Sequence, residues 1–413
     1  MSKPMGSIPP GFKAGADGVL RIGVRSVEEL VGAGGGTPLF VYDAERVAAQ
    51  IAVFRATFPT ISLHYAIKAN SYVPLLSFIA RQVDGLDVAS AGEMKLALGA
   101  GTDPSAISFA GPGKRDEELA AAIEAGVTIN LESEGEADRA LAIARARGRR
   151  ARLAIRVNPD FEIRGSSMRM GGGARPFGVD AERVPTLVHH LLASGAEWRG
   201  FHIFAGSQAL DAGALIEAQR ATVDLAAWLA EEAGATPPMV NLGGGFGIPY
   251  FRGESSLDVG RVGAALAETL AARPRILRDS GFAIELGRWL VGEAGVYLTR
   301  IVDRKQSHGK TFLVTDGGMH HQLAASGNFG QVVRRNFPVA IASRFGSASE
   351  EEASIVGCLC TPLDRLADDI LTPAAQVGDL VAVFLAGAYG RSASPEAFLG
   401  HPPAREILVG VDA

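Results

Sequence analysis

Cysteine is nearly missing from this chain: only Cys358 and Cys360 occur among 413 residues. Residues at i and i+2 rarely meet disulfide geometry, so a disulfide framework is excluded and a reducing, cytoplasmic setting is expected. No second ligand pair at zinc-like spacing accompanies the two thiols, and no metal is expected. A basic excess is lacking too. The 40 Lys and Arg residues are outnumbered by 45 Asp and Glu, for a formal net charge of −5. That excludes a basic face for nucleic acid and a polybasic membrane anchor. No apolar run approaches the ~20 residues of a membrane span, and Met1 to Ala16 lacks the charged-then-apolar order of a secretory signal.

Glycine is plentiful, with 51 residues, which suits many tight strand–helix turns. The length implies two or three domains. Short apolar runs at 63–68, 85–89, 107–110, 128–131, 152–157, 200–204, 239–242 and 282–285 read as strands. Stretches of helical periodicity lie between them, at 91–101, 115–126, 134–148, 180–195, 211–234 and 257–274. Gly101, Gly126, Gly148 and Gly234 mark helix stops. Strand–helix alternation predicts a parallel sheet with right-handed crossovers, and eight strands is the count that closes a (β/α)8 barrel.

An open doubly wound sheet is the alternative. The strand ends decide between them. Lys68, Asp87 with Ser90, Arg156 with Asn158, His202 with Ser207, and Glu285 with Arg288 converge on one site only if the strands form a ring. The expected fold is therefore α/β: a (β/α)8 barrel over 42–287, then an all-β domain over 288–413, joined by the N-terminal segment 1–41. Strands such as Leu380-Val381-Ala382-Val383-Phe384, set among turns, carry the β-domain prediction.

Lys68 reads as the close of an otherwise apolar strand. A lysine there either snorkels to solvent or serves as an amine nucleophile, typically for a Schiff base. The turn Gly243-Gly244-Gly245-Phe246-Gly247 can bring backbone amides up to a phosphate. It is no P-loop, and no ribose-binding acid follows, which disfavours nucleotides. Glu285 and Arg288 offer a carboxylate for a cationic ring nitrogen and a guanidinium for an anion. Amine, phosphate cradle and carboxylate together specify pyridoxal phosphate.

The segments Tyr65-Ala66-Ile67-Lys68-Ala69-Asn70, Asp87-Val88-Ala89-Ser90-Ala91-Gly92-Glu93, Gly206-Ser207-Gln208, Gly243–Gly247, Glu285–Arg288, Cys360 and Gly387-Ala388-Tyr389 follow in order across most of the chain. Together they resemble the fold-type III pyridoxal-phosphate decarboxylases, the diaminopimelate and ornithine/arginine decarboxylase group, built as an alanine-racemase-like barrel plus a β domain. The resemblance implies that Lys68 carries the cofactor and Glu285 pairs with its pyridine nitrogen. It places Ser207, Gly244, Gly245, Gly247, Gly287, Arg288 and Tyr389 around the phosphate, with Asp87 and His202 also in the cofactor site. Cys360 would reach the site across a homodimer interface and protonate the carbon that loses carbon dioxide.

Departures from the pattern are specific. The family's ring-stacking histidine is replaced by Phe204, and His202 matches an earlier family histidine. The acid that follows the family's cysteine is absent from Cys360-Thr361-Pro362-Leu363-Asp364. In diaminopimelate enzymes that acid helps recognise the distal end of the substrate. The Cys-Thr-Pro-Leu-Asp run resembles a branch of exosortase-associated and glutamyl-carrier-protein decarboxylases, implying a modified or carrier-tethered amino acid. Arg334, Asp364 and Tyr389 are the candidate substrate contacts. Arg334 and its neighbour Arg335 could hold a carboxylate or a carrier arm.

His320 and His321 read as surface or structural residues, and the loop at 164–176 as a candidate lid. A racemase on the same scaffold is disfavoured by Glu285, because racemases commonly place arginine at the ring nitrogen. A non-catalytic cofactor-homeostasis protein, which resembles the barrel alone, is disfavoured by the β domain and Cys360.

Overall fold

The computed structural model describes residues 2–163, 168–169, 171–329, 331 and 333–411. Two compact units divide the chain. One comprises Gln50–Ile248 and Ser256–Gly287; the other comprises Met1–Ala49, Pro249–Ser255 and Arg288–Ala413.

The first unit is the barrel. Its strands are β1 (Ser62–Ala66), β2 (Gly85–Val88), β3 (Ile107–Phe109), β4 (Thr128–Leu131), β5 (Arg152–Asn158), β6 (Glu197–Ile203), β7 (Met239–Asn241) and β8 (Gly281–Leu286). Each pairs in parallel with the next, and β8 pairs in parallel with β1 to close the ring. The barrel was legible because these strands are apolar on both faces, as a helix-covered parallel sheet requires. Leu63, Tyr65, Leu86, Ile129, Leu153, Ile155 and Ile284 are fully buried, each worth about 1.5–3 kcal/mol of apolar transfer.

Local chemistry starts and stops the helices. Ser90 caps Ala91–Gly99 by accepting from Glu93 N at 3.1 Å, and Ser133 caps Glu134–Ala146 by accepting from Glu136 N at 3.1 Å. Both supply an acceptor to amides that have no partner within the helix. The four expected stop glycines, Gly101, Gly126, Gly148 and Gly234, all have positive φ.

One boundary differs from expectation. The strand leading to Lys68 ends at Ala66, and Lys68 sits in a single 3₁₀ turn, Ile67–Ala69. The apolar pattern runs through Ile67, which is fully buried, and so hides the change of backbone. Tyr65 fixes the turn by donating its hydroxyl to Asn70 O at 2.8 Å, and buried Asn70 accepts from Tyr72 N at 3.0 Å. The next helix, Val73–Ala80, carries Pro74 in its first turn, where a missing N–H costs nothing.

The second unit is built on the strand Gly295–Ser307. It pairs antiparallel with Lys310–Thr315, Leu380–Val383 and Leu39–Asp43. Leu39–Asp43 in turn pairs in parallel with Arg405–Val409, so both ends of the chain enter this sheet. Val339–Ile341, Glu351–Val356 and Arg365–Thr372 extend it. Among the described residues no helix is long and apolar enough to cross a membrane.

Candidate cofactor site

Parallel register sets the charged residues of the barrel side by side. Arg156 on β5 is the register partner of His202 on β6, and His202 that of Asn241 on β7. Glu285 on β8 is the register partner of His64 on β1. His202 Nε2 lies 2.8 Å from Glu285 Oε2, and Asn241 Nδ2 donates to the same oxygen at 3.3 Å. Glu285 Oε1 has no partner among the described residues.

Burial alone would raise the Glu285 carboxyl. The charge and hydrogen bond of His202, with Lys68 and Arg156 behind it, outweigh burial and hold it well below the ordinary range. Glu285 is thus an ionised carboxylate with one oxygen clamped and one available. His64 Nδ1 lies 3.3 Å from Asp87 Oδ1. Burial lowers His64, but Asp87 and Glu285 reverse the sign and its pKa is raised.

Lys68 is exposed although its neighbours Ile67 and Ala69 are buried. Its Nζ lies 5.6 Å from the centroid of the Phe204 ring, within cation–π reach. Phe204 thus brings an aromatic ring near Lys68. A Cβ on Gly287 would meet Ala69 Cβ at 2.7 Å, so only glycine lets β8 leave the barrel beside the Lys68 turn.

The glycine turn is built for close approach. A Cβ on Gly244 would lie 1.9 Å from Glu285 O, and one on Gly245 or Gly247 would meet Gly206 O at 2.6 Å or Ala209 O at 2.8 Å. Ala209 N donates to Gly245 O, and Gly247 N to Ala209 O, both at 2.9 Å. Gln208 closes the clasp, donating from Nε2 to Ile248 O at 2.6 Å and accepting from Ile248 N at 3.2 Å. Ser207 therefore sits on a segment zipped to the glycine turn. Its backbone pairs antiparallel with Met168. The expected lid at 164–176 falls partly on 164–167 and 170, outside the described residues.

In the second unit Arg288 forms a cluster of its own. Its Nη1 donates to Tyr250 OH at 2.9 Å, and its Cζ lies 4.7 Å from the Tyr389 ring centroid. Its buried Nε lacks a partner among the described residues, the signature of a donor kept for an anion. Tyr389 is held at φ 53°, a conformation non-glycine residues adopt at a cost that concentrates at functional sites. Tyr250 escaped the sequence reading; its only signal was an Ile-Pro-Tyr step just after the glycine turn.

Two of the expected substrate contacts have other work. Asp364 is buried and accepts from Met319 N at 2.6 Å through Oδ1 and from Leu359 N at 2.8 Å through Oδ2. It fastens two backbone segments, one through each oxygen. Arg334 pairs with Asp368 and donates to Ser326 O and Arg365 O, each at 2.9 Å, so it braces a loop. Arg335 is exposed, lies over the Phe251 ring at 3.6 Å and pairs with Glu254 at 3.2 Å. Cys360 is an exposed free thiol, and Cys358 a half-buried one.

The barrel residues fit pyridoxal phosphate: an accessible amine, an ionised carboxylate with an open oxygen, and a cradle no Cβ could enter. Comparison with known proteins agrees. The family described as "Pyridoxal-dependent decarboxylase, pyridoxal binding domain" matches residues 44–292. The L-glutamyl-[BtrI acyl-carrier protein] decarboxylase of Niallia circulans is 38% identical, covering 90% of this chain and 88% of that one. The diaminopimelate decarboxylase of Archaeoglobus fulgidus is 32% identical over 96% and 93% of the two chains. A crystal structure of diaminopimelate decarboxylase from M. jannaschi superimposes with a TM-score of 0.86, 26% identity, and coverage of 96% and 92%.

Proposed function

Since the chain belongs to the pyridoxal-dependent decarboxylases, we propose that it removes the α-carboxylate from an amino acid whose distal end is conjugated or carrier-tethered. Bound pyridoxal phosphate supplies the electron sink for breaking the bond to the carboxylate. The chain's own residues do the rest. Lys68 provides the amine that takes and releases the cofactor. Glu285, ionised and anchored by His202 and Asn241, uses its open oxygen to hold a proton on the pyridine nitrogen. Phe204 offers an apolar face to the ring, where a histidine would add a hydrogen bond.

Ser207 and the Gly244 and Gly245 backbone receive the phosphate, while Gly247, whose N–H goes to Ala209 O at 2.9 Å, keeps the turn closed. Arg288, with Tyr250 and Tyr389, adds positive charge and hydroxyl donors. Cys360, supplied across a homodimer interface, delivers the proton that replaces carbon dioxide. Asp87 pairs with His64 at 3.3 Å, and together with Glu285 it raises the pKa of that imidazole.

The observation that carries the reaction class is the Glu285 carboxylate, kept ionised where a racemase would place a cation. Support for a masked distal end comes from Thr361, which stands where diaminopimelate enzymes have an acid, and from the relative that acts on a carrier-bound glutamyl group. An amide or thioester end needs no acidic clamp. The test is product analysis: holoenzyme should release one carbon dioxide per amine formed, and Lys68→Ala should abolish turnover. Exchange of the α-proton without carbon dioxide release would overturn the reading.

A further inference from the structure

Three residues far apart in sequence meet in the β unit. Ligand atoms of His320, Cys358 and His401 all lie within 4.8 Å of one another. Cys358 Sγ is 3.8 Å from His401 Nδ1, and the His320 and His401 ring centroids are 5.3 Å apart. For ligand bonds of ~2.0–2.3 Å in tetrahedral geometry, N···S and N···N separations are about 3.3–3.6 Å. The widest separation, up to 4.8 Å, must close by up to about 1.5 Å to reach that arrangement.

A buried histidine is normally a satisfied one, and the adjacent residue shows what satisfied means. His321 Nδ1 meets Tyr297 OH at 3.1 Å and its Nε2 meets Pro402 O at 2.9 Å. His320 is fully buried, yet neither of its ring nitrogens has a partner among the described residues. A buried imidazole left with two orphaned polar atoms costs several kcal/mol, unless something absent from the polypeptide completes it. Burial and the neighbouring imidazoles of His321 and His401 also push His320 down to about 4, which keeps its lone pair available near neutral pH.

We propose that His320, Cys358 and His401 form a zinc site with an open fourth position. Two imidazoles and a thiolate suit a borderline-soft ion and disfavour magnesium or calcium, which take oxygen. Binding requires Cys358 to give its proton to solvent, exchanging a weak contact to Asp316 O at 3.5 Å for a metal–sulfur bond. The ion would tie together the segment after strand Lys310–Thr315, the turn after strand Glu351–Val356, and the chain just past the turn Phe398–Gly400. The middle segment carries Cys360, so the site would hold the turn that presents that thiol. Separation in sequence explains why spacing rules do not reveal it.

The experiment uses the holoenzyme, stripped with chelator, re-equilibrated with zinc chloride and desalted before metal analysis. One zinc per chain is expected. Cys358→Ser and His401→Ala should each weaken zinc binding by more than ~100-fold, beyond the effect of losing an outer partner, whereas Cys360→Ser should retain it. Cobalt substitution of the unmutated enzyme gives a readout independent of variant folding: visible d–d bands of a tetrahedral thiolate site. Failure of the unmutated enzyme to hold stoichiometric zinc, or zinc retained by both ligand variants, would overturn the proposal. Neither result depends on decarboxylase activity.

Discussion

His202 Nε2 and Glu285 Oε2, on β6 and β8 of the barrel, stand 2.8 Å apart, with Asn241 of the intervening strand 3.3 Å from the same oxygen. This contact fixes the charge state on which the chemistry depends. A buried carboxyl left alone would take up a proton; paired in this way, Glu285 stays ionised and keeps Oε1 open.

Glu285→Gln keeps the shape and removes the charge. Its kcat should fall by ~100-fold or more, the scale of losing one preorganised electrostatic contact, while pyridoxal phosphate remains bound. The variant also tests the pH linkage. The folded pKa of Glu285 lies below its ordinary 4.5, so the pair stabilises the fold fully above that value. That stabilisation is lost as pH falls through the lower folded value. Denaturant unfolding should therefore show a steeper acid-side loss of stability in the unmutated protein than in Glu285→Gln.

Gly244→Ala places a methyl 1.9 Å from Glu285 O, and backbone cannot yield as a side chain does. A loss of at least about 1–3 kcal/mol is expected. Thermal unfolding of cofactor-free protein measures the structural part, and cofactor titration shows whether the cradle is spoiled as well.

Arg288→Met retains the apolar stem and removes the guanidinium that meets Tyr250 and Tyr389. A charged hydrogen bond is worth about 1.5–3 kcal/mol, so pyridoxal phosphate should bind roughly 10- to 100-fold more weakly. Dephosphorylated pyridoxal should be almost indifferent to the change. Equal weakening of both ligands would show that Arg288 does not meet the phosphate.

Asp364→Asn separates a structural from a substrate role. The amide can accept from only one of Met319 N and Leu359 N, and the orphaned backbone group should cost about 1–3 kcal/mol. Unfolding midpoints should fall while KM stays near that of the unmutated enzyme. A raised KM at unchanged stability would restore Asp364 to the substrate site.

Repetition made the barrel readable: eight short strands alternate with helices of regular period, four of them ended by left-handed glycines, and each signal supports the others. Lys68, Glu285 and the glycine turn stood out because an amine, an acid and a bare turn are unusual at buried strand ends. What the sequence left hidden has physical causes. The 3₁₀ turn at Lys68 was masked by the buried Ile67 beside it. Asp364 resembled a ligand contact, but a buried carboxylate can equally serve two backbone amides. Arg334 looked available until the fold brought Asp368 to it. Tyr250, Asn241 and the His320–Cys358–His401 cluster depend on which strands become neighbours, information that sequence spacing does not carry.

The most direct test compares carbon dioxide release by purified holoenzyme from an amino acid in two forms, free and masked at its distal end as an amide or carrier thioester, with free diaminopimelate, lysine and ornithine alongside. The account predicts the highest kcat/KM for the masked form, with Cys360→Ala slowing release of its correctly protonated amine by ~10²–10⁴-fold. Fastest turnover of free diaminopimelate, lysine or ornithine would contradict it.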